Sequence, residues 1–390
     1  MPIAAHSVAT TQPDSCQTAG TVAQDIQEQL GPDAKLVVVY LTLNHEQEGF
    51  IGQLATRLGP GVSIVGCSAQ GIVGSGLVRE EGYGAAVLAL GGAGLHVATA
   101  HVEQIEAAPR RQGEALGRAL AAQLSSPAKC IVLHYDALGG VEVDELLLGL
   151  HGALPAPIIG GASADRLDYG FTRQTYQYHQ HHVLRGSAVA FALTGDFSVE
   201  YDVCHGCSPV GVEMVVTKSA GNVLLELDGR PASQVWNEIC PGPGNQLPHL
   251  AIGVPVVRAS GPHNYLIRAA YSLDDTTGGV VLGPAIPPGT RIMLHHRTTA
   301  DVLDGARSMG HALRQRLVGK RPRAVLGFEC GARTRPFLGD AATQAENLEL
   351  QQTLGADIPW AGAMVWGELF PIGDKPGFHN YTYPLLVLTE

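Results

Sequence analysis

Three unbroken apolar runs punctuate the chain, and each leads into a stretch of helical period. Lys35–Tyr40 (KLVVVY) is the first. An uninterrupted, β-branched run of this length predicts a short strand buried on both faces. Phe50, Ile51, Leu54 and Leu58 then recur at helical spacing and predict an amphipathic helix over 46–58. The second run, Lys129–Tyr135 (KCIVLHY), is followed by an apolar helix over 142–152. The third, Ala324–Cys330 (AVLGFEC), is followed by a helix over 341–354.

The segments after each helix recur as well. VSIVGCSAQG (62–71), APIIGGASAD (156–165) and IPWAGAMVWGE (358–368) are followed by the strands AAVLAL (85–90), SAVAFALTG (187–195) and YPLLVLTE (383–390). The first two sets keep the same order and predict an internal duplication, 35–128 and 129–205, with the third a more diverged copy. Between copies lies a β-rich stretch. Met214–Gly229 reads as a hairpin turning at Ala220-Gly221-Asn222, and Pro231 opens a helix to Ile239. Cys240–Pro248 reads as a long loop with the reach of a lid. Strands around Tyr265–Tyr271, Val280–Leu282 and RIMLHH precede a helix over 299–317. The expected fold is α/β: layered mixed sheets with helices outside, built from strand-helix-strand repeats in two lobes. The expected divisions are an extension over 1–28, an N-terminal domain over 29–225 and a C-terminal domain over 226–390.

Composition narrows the function classes. Of 390 residues, 45% are apolar and 16% charged, with a net charge of −11, which excludes a disordered acidic chain and argues against nucleic-acid binding. The 49 glycines and 24 prolines exceed the ordinary share and imply many tight connections. Tyr83–Ala100 is apolar, but Gly84, Gly91, Gly92, Gly94 and His96 break it into two strands and a turn, so no membrane insertion is expected. Residues 1–20 carry no export signal and the seven cysteines read as thiols, so a cytoplasmic location is expected.

The ordered set GCSAQGIVG, SPVGVEMVVTKSAGNVLLELDGRPA, FECGAR, WGELFP and HNYT resembles the FIST family over roughly residues 30–388. The resemblance implies a sensory protein of bacterial signal transduction, with N- and C-terminal portions and a small-molecule ligand such as an amino acid. It is similar in size to the stand-alone, nitric-oxide-sensing NosP haemoproteins. That likeness implies a haem cofactor and a separate histidine kinase, or another signalling enzyme, as partner in trans; a homodimer is compatible with it. The rivals are an amino-acid or carboxylate sensor without haem and, against the expectation of no enzyme activity, a cysteine-dependent enzyme.

Candidate residues come from both readings. Gly66, Cys67, Ser68 and Gly71 form a glycine turn after a strand, whose amides can hold an anion; the bland alternative is a tight connection in the core. It lacks the Lys-Ser/Thr of a phosphate loop. Cys330 sits beside Arg333, and the resemblance marks both, with Glu368, His379 and Asn380, as matching positions of a polar pocket. Cys330, His379 and Asn380 are also the elements of a nucleophilic triad, and Arg333 with Glu346 or Glu368 the elements of a buried ion pair. Cys204-His205-Gly206-Cys207 is a single CxxC, weak for zinc even with Cys240, His249 or the 179–182 histidines added, and its internal histidine does not fit covalent haem. For one haem axial ligand the candidates among 16 histidines are His134, His182, His205 and His295, each of which is as readily an ordinary surface or core histidine.

Overall fold

The computed structural model describes residues 3–166, 174–239, 247–256 and 264–390. Residues 240–246 of the expected lid loop, Cys240 included, lie outside the described residues. The chain opens with β1 (Ala4–Thr10) and α1 (Ser15–Leu30), so the expected N-terminal extension is part of the fold. The first unit runs β2 (Ala34–Thr42), α2 (Gln47–Leu58), β3 (Ser63–Ala69), β4 (Gly71–Gly74), β5 (Leu77–Arg79), β6 (Ala85–Gly91), β7 (Leu95–Glu103) and α3 (Pro109–Ala121). The second runs β8 (Cys130–Tyr135), α4 (Val143–Ala153), β9 (Ile158–Ala162), β10 (Gln177–His179), β11 (His182–Leu184), β12 (Ser187–Gly195) and β13 (Ser198–Cys204).

An inserted module comes next: β14 (Cys207–Ala220), β15 (Val223–Leu227), β16 (Arg230–Pro231), α5 (Ala232–Ile239), β17 (Leu250–Pro255), β18 (Tyr265–Asp274), β19 (Gly279–Leu282) and β20 (Arg291–Arg297). Strand β14 pairs with both β20 and β15, closing β14-β20-β17-β18-β19-β15 into a barrel around Leu224, Trp236, Ile252 and Leu294. After α6 (Thr299–Arg316) comes the third unit: β21 (Pro322–Cys330), α7 (Asp340–Leu354), β22 (Trp360–Val365), β23 (Glu368–Leu369), β24 (Phe378–His379) and β25 (Tyr383–Thr389).

Each unit contributes a parallel pair (β2 with β3, β8 with β9, β21 with β22) and an antiparallel neighbour (β6, β12, β25). Each then sends strands into the other units' sheets. Strand β7 pairs with β12, β13 with β25, and β1 closes the cycle on β6. In the opposite sense β4 pairs with β22, β10 with β3 and β23 with β9. The apolar stretch over 83–100 is therefore two strands and a turn, but β6 and β7 lie in different sheets. The cycle brings the chain ends together: the Ile3 amide donates to Glu390 Oε1 at 3.0 Å.

The mixed sheets enclose one triangular core. Leu36, Val38 and Tyr40 face it from β2, Cys130 and Val132 from β8, and Ala324, Leu326 and Phe328 from β21. The intervening residues face outward. Val37, Val39 and Leu41 pack with Ile26, Phe50 and Leu54 of α1 and α2; Ile131 and Leu133 pack with α3 and α4; Val325 packs with residues of α6 and α7. Burial on both faces is why these strands are unbroken apolar runs. The two expected lobes take the form of a three-sheet body and a barrel, and residues 322–390 return to the body because they supply its third side. Helices α1 and α3 had no sequence expectation; much of their buried face is Thr, Ala and Gly (Thr18, Ala19, Ala23; Gly113, Gly117) rather than large apolar residues.

Part of the glycine surplus serves close approach rather than turns. A Cβ on Gly66 would lie 1.8 Å from the Val39 carbonyl oxygen, and one on Gly113 of α3 would lie 2.1 Å from the Leu146 carbonyl oxygen of α4. Gly66→Ala is expected to lower stability by about 1–3 kcal/mol through overpacking of the β2–β3 pair. Gly52→Ala, in α2 with no atom within 4 Å of the new methyl, is expected to raise it by about 0.5–1 kcal/mol. Urea unfolding of both variants checks the pair.

Candidate functional site at the junction of barrel and body

Strand alternation builds the barrel's half of the junction. On β20, Ile292 and Leu294 enter the barrel core, so His295 and Arg297 face the other way. On β17 and β18 the same alternation turns Ala251, Ile267 and Ala269 outward, where they pack with Cys207, Cys330 and Tyr381. The body's half is the C-terminal end of β21 and the connection from β24 to β25. The Asn380 amide donates to the Ile267 carbonyl (2.9 Å), and the Asn380 side-chain oxygen accepts from the Ala269 amide (3.0 Å). These bonds hold Tyr381 in the left-handed region, at φ 61°, a conformation costing about 1–3 kcal/mol in a non-glycine residue.

Arg297 stands at the centre of this junction with no exposed surface. Its guanidinium carbon lies 3.6 Å from the Tyr381 ring centre and 3.9 Å from that of Phe337. Its Nε donates to the Pro248 carbonyl (2.5 Å) and its Nη2 to the Ala332 carbonyl (3.1 Å). Nη1 is buried and has no hydrogen-bond partner, and among the described residues no carboxylate pairs with this cation. Burial pulls its pKa below the ordinary arginine value.

Arg333, the cation expected in a ligand pocket, is placed differently. It is fully buried against Glu346 and 3.5 Å from Glu329, and its Nη2 also donates to the Val302 carbonyl. Asn347 donates to Glu329 (2.9 Å) and accepts from the Tyr383 hydroxyl (2.6 Å). Burial and the neighbouring Glu346 push the Glu329 carboxyl well above its usual range. Two carboxyl groups thus already answer Arg333, which braces α7 on β21.

The structure joins Cys330 to Glu368. The Glu368 carboxylate accepts from the Thr382 amide (3.0 Å), the Thr382 hydroxyl (3.0 Å) and the Gly367 amide (3.1 Å), and the Cys330 thiol bonds it too. Burial outweighs these bonds and pushes the Glu368 pKa up to about 8. Burial, reinforced by Glu368, keeps the Cys330 thiol protonated, the opposite of what an attacking thiolate needs. His379 bonds the Phe370 carbonyl through Nε2 (3.2 Å), and Asn380 is committed to β18. Cys330, His379 and Asn380 therefore share a neighbourhood while each serves a different contact.

Gly66, Cys67, Ser68 and Gly71 form a strand crossing from β3 into β4 rather than a cradle. The Ser68 amide donates to Tyr176 (2.9 Å), the Gln70 amide to Met364 (3.0 Å), and the Ser68 hydroxyl to Ala164 (2.9 Å). Cys67 is buried between sheets, and burial pushes its thiol far up. Strand ends of all three units do converge here: Trp366 donates to the Ala162 carbonyl, and the Ala162 amide to Gly367.

The four histidines proposed for an iron lie apart. His134 is wholly buried and bonded at both nitrogens, to the Tyr40 hydroxyl (3.3 Å) and the Gly161 carbonyl (3.1 Å). The Nδ1 of His205 accepts the Cys207 amide (2.8 Å). His295 donates through Nδ1 to the Met293 carbonyl (3.0 Å) and packs edge-on against Tyr265. His182 lines a groove of about 610 Å³ between α2 and the edges of two sheets. Cys204 and Cys207 are buried free thiols whose pKa values burial raises to about 12 and about 11. Among the described residues no three metal-ligating side chains surround one point. Arg297, Phe337 and Tyr381 had no expected site role; an arginine ending the strand RIMLHHR was the one available signal.

The FIST N domain profile matches residues 35–230 and the FIST C domain profile residues 232–371. The chain belongs to the FIST family. FIST domains are sensory domains of signal transduction that respond to small ligands. An uncharacterized protein of Mycobacterium bovis is 30% identical over 241 residues, so the match spans 60% of this FIST chain and 60% of that relative. An uncharacterized Mycobacterium tuberculosis protein is 26% identical over 419 residues, covering 97% of this chain and 98% of its own. Among solved structures, a cyanuric acid hydrolase of A. caulinodans aligns with 99% of the chain at 10% identity and a TM-score of 0.39, and a chorismatase at 11% and 0.33. No helix of the described FIST chain is long and apolar enough to cross a membrane.

Glu368 gives the junction a testable pH signature. Its value of about 8 exceeds the ordinary 4.5, so between the two the folded chain keeps a proton that the unfolded chain has released. The stability linked to it is complete below about pH 4.5 and is lost as the pH rises through about 8. Urea midpoints of the wild type should fall across this window, and Glu368→Gln, neutral throughout, should flatten that decline.

Proposed function

We propose that this FIST chain is a cytoplasmic sensor of a small, carboxylate-bearing metabolite, such as an amino acid, bound where the barrel meets the body. The observation that carries the reading is Arg297: a fully buried guanidinium that, among the described residues, has one nitrogen unpartnered and no carboxylate answering its charge. A buried cation without a counter-charge is costly, and a carboxylate ligand would relieve that cost. The rings of Tyr381 and Phe337 fix the plane of the guanidinium, so the unpartnered Nη1 points in a set direction.

The same residues suggest how occupancy becomes a signal. Arg297 belongs to the barrel, but its bond to Ala332 and its stacking on Phe337 and Tyr381 reach the body. A ligand that recruits Nη1 favours one seating of barrel on body over another, and such a bias is what a sensor passes on. A separate signalling enzyme in trans, a histidine kinase among them, would read that seating. This moves the carboxylate-binding role from Arg333 to Arg297.

A thermal-shift screen of amino acids and small di- and tricarboxylates tests the reading, since a ligand of the native state raises the midpoint. At least one carboxylate should raise the wild-type midpoint, and Arg297→Gln should lose that shift while remaining folded by circular dichroism. No shift across the panel, or an equal shift in Arg297→Gln, would overturn it. The haem-dependent version, with nitric oxide as effector, rests on the family resemblance and on His182 standing in an open groove. It predicts a Soret band on haem reconstitution that moves with nitric oxide and is lost in His182→Ala.

A further inference from the structure

Strand alternation sets two imidazoles face to face across the seam between the first two sheets. On β7, Leu95 and Val97 join the central core, and Thr99 and His101 continue that face toward the strand's end. On β10, Tyr178 packs outward with residues of α1 and α2, so Gln177 and His179 take the inner side. Strand β7 is the edge of one sheet and the β10–β11 hairpin the edge of the other, and among the described residues no strand pairing joins them. Side chains close the seam at this level: the Nδ1 of His101 lies 2.9 Å from the Nδ1 of His179, and the Nε2 of His179 lies 3.2 Å from the Thr99 hydroxyl. Two ring nitrogens this close share one proton, one donating N–H and the other accepting on its lone pair. The pair can take a further proton on an outer nitrogen and keep that bond. One more leaves N–H facing N–H, with two positive charges in contact.

We propose that His101 and His179 form a proton-operated clasp: paired at neutral pH, they repel once both are charged, and the β10–β11 hairpin then parts from β7 and widens the groove beside α2. The surroundings reinforce the repulsion. The His182 ring centre lies 6.4 Å from that of His101, and the His181 ring centre 3.9 Å from that of His182, so acid charges four imidazoles in one place. No carboxylate stands among the residues that line the groove to offset them. From α2 the groove takes Ala55 and Thr56, with Arg57 next in the helix and exposed; from β3 and the residues before it, Val62 and Ile64. Strand β12, which pairs with β7, carries no titratable side chain, and Arg185 after β11 lies over the Tyr176 ring. Glu103, two residues beyond His101, is exposed at the end of β7. Burial, with His101 and His182 adding to it, lowers the His179 pKa from 6.5 to about 4. A parted hairpin restores the ordinary value. The clasp is therefore complete above about pH 6.5 and is lost as the pH falls from there toward about 4.

The test is amide hydrogen exchange of the full chain, read by mass spectrometry on peptides spanning 177–184 and corrected for the intrinsic effect of pH on exchange. A local readout is needed because burial also lowers His45 and His134 to about 4, and both weaken the whole fold in acid. Peptides of β8 report that global change. In the wild type the opening equilibrium of the hairpin should be about tenfold or more higher at about pH 5 than at about pH 7.5, beyond any change in β8. His101→Gln and His179→Gln each leave one imidazole at the contact and should flatten the hairpin's response while leaving that of β8 in place. Should one variant fail to fold, the other decides alone. Hairpin exchange that is independent of pH, that changes only in step with β8, or that rises as much in a folded variant as in the wild type would overturn the proposal.

Discussion

The body depends on burying the inner faces of three sheets that no single unit can cover. Each parallel pair carries apolar side chains on both faces. Helices seal the outer face, and only the other two sheets can seal the inner one. Strand exchange makes this assembly specific, since every sheet contains strands from more than one unit and a slipped strand would expose its core residues to water. The last exchange joins the first strand to the sixth and sets the two chain ends against each other, so the ring closes through hydrogen bonds rather than through the backbone.

The barrel stands outside that ring, inserted between the second and third units, and the contrast between two arginines defines its junction. Arg333 and Arg297 are both fully buried, yet Arg333 lies between two glutamates while Arg297, among the described residues, meets carbonyl oxygens and aromatic faces and no carboxylate. The first arrangement is closed in charge and serves the fold. The second leaves the cation without a counter-charge among the described residues.

Much of the frame was legible along the chain. KLVVVY, KCIVLHY and AVLGFEC announced strands buried on both faces, and the helical spacing after each announced the covering layer. The hairpin at Ala220–Asn222 was legible because turn residues interrupt alternating strands. Helices α1 and α3 were not, because Thr18, Ala19 and Ala23 in one and Gly113 and Gly117 in the other fill buried positions that large apolar residues would have marked. The site was only partly legible. Glu368 and Cys330 were singled out and do meet, whereas Arg333 drew attention by its place beside a cysteine and Arg297 drew none.

By itself the sequence determined the elements, their order and their repetition, because apolar period and turn chemistry act over a few neighbouring residues. Tertiary structure alone decided which sheet each strand joins, as with β6 and β7, adjacent in the chain and separated in space. It also decided that the Gly66–Gly71 segment crosses between sheets, and which arginine keeps an unanswered charge. These outcomes rest on contacts between residues far apart in the chain, and Coulomb and packing energies depend on distance in space rather than on separation in sequence.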